Sequence, residues 1–587
     1  MKGGKQGAAA RRPGMFAGQR PLAIAGAAFA LLLLVALWRS LHLTGGHLVY
    51  TLDDAYIHMA MAKNLARHGV WGVTPFGFSA TSSAPLWTLL LSGTFALFGP
   101  REILPLILNL AAALLTLGAA HRILRRYLPA ATPGTFLAIL VALVVFTPLV
   151  PLVMSGQEHT LHLLLTLLFV DAAVRRLGAR PSAEARGPGE RDGIPASGGG
   201  PEPVVPGKQA GFARRLGFWL LPPLLVLVRY ESLFLIAAVG VAFAWRRRVR
   251  EALLLGALAL APVLGVGWSN LQHGWSFLPN PILRKANLPG ADAAQLVGTF
   301  TGYVAVRRLF VNPHLFLPVL AALGLICWTL PRAQGREAHG KTVLLIFLLA
   351  LGLHLSFADV GWFYRYEAYL VGLGVIGLGI AAAEWIGARD GSGEGACLGE
   401  RGWMKCGRGG SRAAAVVLGL LLVVGLGDRG ARAWLETPRA SANIYEQQYQ
   451  MGLFLKRYYE GATIALNDIG AANYLADIRC VDLYGLADRE ILAAFRAGTY
   501  SVATLERIGR ERGARIAILY PHWVRMPASW VQVGQWQIGK NIVNGGDTVA
   551  FFALQRGEEQ NLIRNLREHA ARLPASIRQG GAYVEAP

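Results

Sequence analysis

Apolar runs of 13 to 20 residues recur along this chain as far as about residue 430, most of them near the length that crosses a bilayer. They lie at about 21–38, 85–98, 102–120, 134–153, 159–176, 217–229, 231–245, 252–267, 313–330, 342–357, 366–385 and 413–427. Charged residues are only 16% of the 587, against about a quarter in soluble domains. The expected fold is a polytopic α-helical membrane protein of about 11–12 transmembrane or half-membrane helices, residues 1–430, followed by an outer α/β domain, 431–587.

The net charge of +22 first suggests nucleic acid, but its distribution excludes that partner. Basic residues cluster in short loops beside apolar spans, as the positive-inside rule expects, and no groove-reading motif or aromatic-basic platform accompanies them. Of the four cysteines, Cys327 lies in an apolar span. Cys397 and Cys406 are too far apart for a metal knuckle, and Cys480 stands alone; all four read as free thiols. The first run is followed by Trp38-Arg39-Ser40 rather than a small-residue cleavage site. It reads as an uncleaved helix with a cytoplasmic N-terminus.

The basic loops orient the spans. The Gly- and Pro-rich segment 178–215, RRRVR (246–250), PRAQGREAHGK (331–341) and 386–412 fall inside, and 178–215 reads as disordered. The loop 51–84, Glu158, Arg229-Tyr230-Glu231, 268–312 and DVGWFYRYE (359–367) then share the outer face. Polar residues that do not suit lipid thus gather on one side, which marks a site. Two details stay open. If 85–98 and 102–120 both cross, His121 to Arg126 end up outside, so one of them is expected to be bent, half-length or re-entrant. Pro222-Pro223 is expected to break the run before Arg229.

TLDDAYIHMA (51–60) places Asp53 and Asp54 where the chain leaves the membrane. The stripe Ile57, Met61, Leu65 predicts an amphipathic helix over 55–67 lying on the membrane surface, stopped at Gly69. One aspartate could cap that helix; capping needs only one, which leaves its neighbour free as a base. Hydroxyls and aromatics interleave through GVWGVTPFGFSATSSAPLW (69–87), a mixture suited to a sugar ring or to an interfacial belt. In the outer domain, TIALNDIG, IRCVDLYGL, ARIAILY and TVAFFAL read as strands, and Asp468 as a turn or cap residue.

DDAYIHMAMAKNLARHGVWG followed by TSSAPLWTLLL resembles the first outer loop of GT-C glycosyltransferases, most of all the bacterial group that includes arabinofuranosyltransferases. SGQE, RYE, LPNPILRK, FYRYEAYL and LNDIGAANYLADIRCVDLYGLADRE follow in the order of that group. The resemblance implies an inverting transferase that takes a sugar, pentofuranose or hexose, from a polyprenyl-phosphate donor to a glycan, lipid or protein acceptor. It places the general base at Asp53 or Asp54, with Asp53 preferred. Proton removal from an attacking hydroxyl suits a carboxylate, and the leaving lipid phosphate needs only cations. Arg229, Lys285 and Arg365 lie on the correct side for that phosphate, and arginine suits bidentate contact. His58, Ser82, Ser83, Trp87, Glu158, Glu231 and Tyr366 are the expected substrate contacts. Each has a plainer reading. Arg229 could pair with Glu231, Lys285 could be a solvated loop charge, Arg365 an interfacial anchor, and Glu158 a helix cap. A divalent cation shared by Glu158 and the aspartates, or held by His58 and His159, is a further option. A transporter or flippase for a lipid-linked substrate is the alternative function, although no inverted repeat is visible. A non-catalytic scaffold is a third reading.

Overall fold

The computed structural model describes residues 17–178, 208–285, 302–329, 339–390, 408–523 and 525–584. Cys397, Cys406 and residues 179–207 of the segment expected to be disordered lie outside the described residues.

The chain opens with α1 (Arg20–Leu43), α2 (Asp53–His68), α3 (Pro85–Phe98), α4 (Ile103–Tyr127), α5 (Pro133–Phe146), α6 (Leu149–Met154) and α7 (His159–Gly178). There follow α8 (Lys208–Val228), α9 (Ser232–Trp245), α10 (Val249–Gln272) and the short α11 (Asn280–Lys285). The bundle closes with α12 (Tyr303–Val311), α13 (Pro313–Thr329), α14 (His339–Phe357), α15 (Ala368–Asp390) and α16 (Arg408–Ile444). By length and composition, α1, α4, α10, α14 and α15 suffice to cross a membrane, and α12 with α13, bent by 107°, makes a sixth candidate. Shorter apolar helices, α3, α5, α9 and the Leu216–Val228 part of α8, pack among them. The chain is a multi-pass membrane protein.

α3 has 14 residues, so it is about 21 Å long and falls short of a hydrocarbon core of about 30 Å. α4, with 25 residues, is long and apolar enough to cross by itself. Its C-terminal Arg126 pairs with Asp171 of α7 at 2.7 Å, beside Arg176, which reaches Glu251 at the start of α10 at 2.6 Å. The basic ends meet there, and Gly18, just before α1, lies against Arg125. The Pro222-Pro223 expectation is corrected: α8 runs through both prolines to Val228. A membrane helix packed on its neighbours keeps its path where a proline frees a carbonyl.

The surface placement of 55–67 is also corrected. α2 ends at Gly69 (φ 68°) as expected, but its residues Ala55 to Asn64 are buried. It is sandwiched between α3 and a helix of the outer domain, so neither face meets lipid.

No break falls at residue 430. α16 continues to Ile444, a π-helical turn spans Tyr445–Tyr449, and α17 (Gln450–Tyr458) follows. Strands β1 (Thr463–Leu466), β2 (Arg479–Asp482), β3 (Ile516–Leu519), β4 (Val531–Gln537), β5 (Thr548–Ala553) and β6 (Arg578–Gly580) form one sheet in the order β2-β1-β3-β5-β4-β6. β1 runs parallel to β2 and β3; the other pairings are antiparallel. Four strands coincide with the expected segments, and β4 and β6 are additions. Helices α18 (Gly470–Leu475), α19 (Arg489–Arg496), α20 (Val502–Glu511) and α21 (Glu558–Ala570) complete the domain.

The expected topology, with α3 half-length, would put exposed Arg122 of α4 and exposed Arg564 of α21 on opposite sides of the membrane. In a background without native cysteines, a membrane-impermeant maleimide should label Arg564→Cys and Arg122→Cys from opposite faces. Labelling of both from one face would overturn the half-length α3.

Candidate active site

The misfit polar residues of the outer face come together where helices break. Gln157 and Glu158 lie between α6 and α7, Arg229-Tyr230-Glu231 between α8 and α9, Lys285 ends α11, and Arg365-Tyr366 precedes α15. Asp53 and Asp54 form the first turn of α2. Backbone irregularity at this depth is tolerated where it lines a protein cavity, and these breaks do so. A cavity of about 300 Å³ is walled on its polar side by Asp54, His58, Ser83, Gln157, Arg229, Glu231, Lys285, Arg365 and Tyr366. Leu233, Phe234, Val263, Ile282 and Phe357 form the apolar wall, contributed by α9, α10, α11 and α14.

Asp54 is the hub of the polar side. Its Oδ2 accepts from Arg365 and lies 3.4 Å from Lys285 Nζ. Burial alone would raise this carboxyl, but Lys285 and Arg365 outweigh it and hold it well below the usual carboxylate range. Asp54 is therefore ionised. Burial also lowers His58, leaving its ring neutral with Nδ1 2.9 Å from Thr88 Oγ1.

Arg229 is bracketed by two carboxylates. Its NH1 donates to Glu158 at 2.8 Å and its Nε to Glu231 at 3.1 Å. The plainer reading of Arg229 is thus realised, because residues 229–231 are a helix break rather than a helix, where side chains two apart would diverge. Arg229 and Arg365 also lie 5.8 and 4.9 Å from the centre of the Tyr366 ring. Among the described residues Arg229, Lys285 and Arg365 thus face Asp54, Glu158 and Glu231, while Asp359 on the same wall pairs with Arg308.

A left-handed turn aims Arg365. Gly361, Trp362, Phe363 and Tyr364 all have positive φ (89°, 25°, 53° and 66°). Left-handed backbone costs about 1–2 kcal/mol per non-glycine residue, so other contacts must hold it. Glu367 does this: it accepts the Gly361 N–H at 2.8 Å and pairs with His314 at 3.0 Å and with Arg429.

Of the expected site residues, Asp54, His58, Ser83, Arg229, Glu231, Lys285, Arg365 and Tyr366 meet on the cavity wall. Four do not. Asp53 turns away and accepts the N–H groups of Gly470 and Ala471 at 2.7 and 2.8 Å. Burial and the nearby Asp468 push its carboxyl up to about 8. Glu158 stands behind Arg229 as its counter-ion. Ser82 bonds Thr88 at 3.0 Å at the start of α3, and Trp87 is buried on that helix. Of the two aspartates it is Asp54, not the preferred Asp53, that lies on the cavity wall. Gln157, which orders Arg365, was overlooked; its signal was a polar residue beside Glu158 in SGQE. Among the described residues no three His, Cys, Asp or Glu side chains gather at metal-binding distance. Glu158 and Asp54 face guanidinium groups instead.

Removing Arg229 strands two buried carboxylates. Arg229→Met should therefore destabilise the protein by about 3 kcal/mol or more, and adding Glu158→Gln should recover part of that loss. Thermal unfolding in detergent measures both; additive effects would contradict the bracket.

A family model described as "Domain of unknown function (DUF8728)" matches residues 442–552. No curated protein matches the chain by sequence. The chain is similar in structure to apo ArnT from Cupriavidus metallidurans, with a TM-score of 0.50 and 12% identity over 92% of this chain and 99% of that one. The undecaprenyl phosphate-bound form of ArnT gives 0.47 and 13% over the same shares. The apo Archaeoglobus fulgidus oligosaccharyltransferase gives 0.48 and 10% over 93% of this chain and 75% of its own. At such identity the likeness is one of fold: this chain has the GT-C fold of membrane glycosyltransferases.

Proposed function

We propose that the chain is an inverting glycosyltransferase of the outer face of a bacterial inner membrane. It takes a pentofuranose or hexose from a polyprenyl-phosphate donor and passes it to a hydroxyl of a glycan, lipid or protein. The observation that carries this reading is an ionised Asp54 on the wall of a cavity that has cations on one side and an apolar wall on the other.

On this reading the isoprenoid chain lies along Leu233, Phe234, Val263 and Phe357, and the phosphate meets Lys285 and Arg365. The acceptor hydroxyl gives its proton to Asp54 as its oxygen attacks the anomeric carbon. The bond from that carbon to the phosphate oxygen breaks on the opposite face of the ring. The electron pair leaves with the polyprenyl phosphate, whose charge Lys285 and Arg365 balance. Lys285 is the cation free to change partners: its side chain is 33% exposed, against 2% for Arg365. When the phosphate draws Lys285, Asp54 loses part of the attraction that keeps it a weak base. Donor binding thereby readies the base.

With labelled polyprenyl-phosphate pentose and hexose donors, Asp54→Asn should lower transfer by about 10²–10⁴-fold while polyprenyl phosphate still binds. Near-normal transfer in that variant would sink the assignment. Movement of the donor across liposomes without transfer would favour a transporter instead. Lys285→Met should weaken donor affinity. It should also move the acidic limb of kcat/KM to higher pH by about one unit, because losing a nearby cation raises a carboxyl. An unmoved limb would separate Lys285 from Asp54.

A further inference from the structure

We infer that the outer domain is a working part of this site: it sets the position of Asp54 by gripping α2 at two points, and Asp53, Lys63 and Gly470 are the positioning residues. The inference rests on Asp54 being the proton acceptor.

The grip is a pair of helix caps. Asp53 accepts the first two N–H groups of α18, from Gly470 and Ala471, at 2.7 and 2.8 Å. Lys63, two to three turns along α2, donates to the carbonyls of Asn473 and Tyr474 at 3.0 and 2.9 Å and to Asp477 at 2.8 Å. The Asp53 carboxyl thus takes up N–H groups at the start of α18, and the Lys63 ammonium takes up carbonyls at its end, groups that a helix leaves unpaired. Both caps come from α2, so α2 and α18 move as one piece.

The contact leaves no slack. A Cβ placed on Gly470 would lie 2.1 Å from the Asp53 carbonyl oxygen. That atom is backbone of the turn that carries Asp54, so any side chain at position 470 must displace the turn itself. α18 is braced from behind. Asp468 accepts from Gln448 of the π-helical turn at 2.7 Å and from the Tyr520 hydroxyl, and the Tyr520 N–H donates to Asn467 at 3.1 Å. The segment Asn467-Asp468-Ile469-Gly470 is thereby tied to the sheet and to the end of α16.

Successive helix residues point about 100° apart. With Asp53 locked onto α18, Asp54 is turned towards the cavity. α2 has no side-chain cap of its own, since Leu52 occupies the N-cap. A misplacement of about 1 Å at a reacting group costs on the order of 10²-fold in rate. The bound stretch lies within the region matched by the domain of unknown function, to which this assigns a role in this chain.

The test uses the full chain in nanodiscs, with a polyprenyl-phosphate pentose or hexose for transfer and polyprenyl phosphate alone for binding. Gly470→Ala and Lys63→Met should each lower kcat about 30- to 100-fold, with donor KM and phosphate binding within threefold of the parent. Lys63→Arg should restore most of the loss, and Gly470→Ala should cost nothing more in an Asp54→Asn background. Values of kcat within threefold of the parent in both variants, with Asp54→Asn inactive, would overturn the positioning role and leave the base standing. Loss of phosphate binding together with kcat would also overturn it, because the contact would then hold the fold rather than the base. An active Asp54→Asn would overturn the base, and this inference with it.

Discussion

Asp54 shares its oxygen between Arg365 and Lys285, and the outer half of this protein is arranged to make that contact tolerable. A lone carboxylate or guanidinium at the edge of an apolar bundle is costly, and it persists only where partners compensate it. Here each charge stabilises another: Glu158 and Glu231 hold Arg229, Gln157 and Asp54 hold Arg365, and Glu367 holds the turn from which Arg365 projects. Among the described residues each of these three cations already faces a carboxylate, and Asp359 on the same wall pairs with Arg308. An arriving phosphate would draw most readily on Lys285, whose side chain is the most exposed of the three. On the proposed reading, this pairing ties donor binding to the strength of the base.

The fold serves these pairings in two ways. Apolar helices close the site from lipid, yet every charged group sits at a break, where the backbone can turn a side chain towards the cavity. Strain is accepted at the one place where a helix start does not aim correctly. Four consecutive positive φ angles before α15 direct Arg365 inward, and buried ion pairs around Glu367 hold them. The outer domain then covers α2, which converts a helix of mixed polarity into a buried one. Its polar residues find their partners in that cover, as Lys63 does.

Much of this is readable in the residues. Apolar run length and basic loops place the spans and the outer face, and RYE, LPNPILRK and FYRYE lie in the segments that meet at the cavity. Other features fail for definite reasons. A 14-residue apolar run such as α3 has a crossing composition but not a crossing length. The stripe Ile57, Met61, Leu65 reads as a surface helix because nothing local reveals that α18 covers the other side. β4 escapes notice because its alternation is interrupted by a bulge between Gln532 and Gly534, and β6 has only three residues. The pairing of Arg229 with Glu231 depends on the helix ending at Val228, which two prolines within α8 do not bring about.

The adjacent aspartates carry the point furthest. Asp53 and Asp54 have the same chemistry, the same helix and the same distance from the membrane, yet their carboxyls are driven in opposite directions. Asp53 is buried near a second acid, Asp468, and its proton is held to about pH 8. Asp54 faces two cations and has lost its proton throughout the neutral range. None of the partners that divide them is local: Lys285 lies 231 residues away, Arg365 311 and Gly470 417. Local helix rules correctly identify an acid that caps a helix and an acid left over. They name the wrong helix, because the one capped belongs to the outer domain. Only the folded chain distinguishes the two, through which neighbours it brings to each.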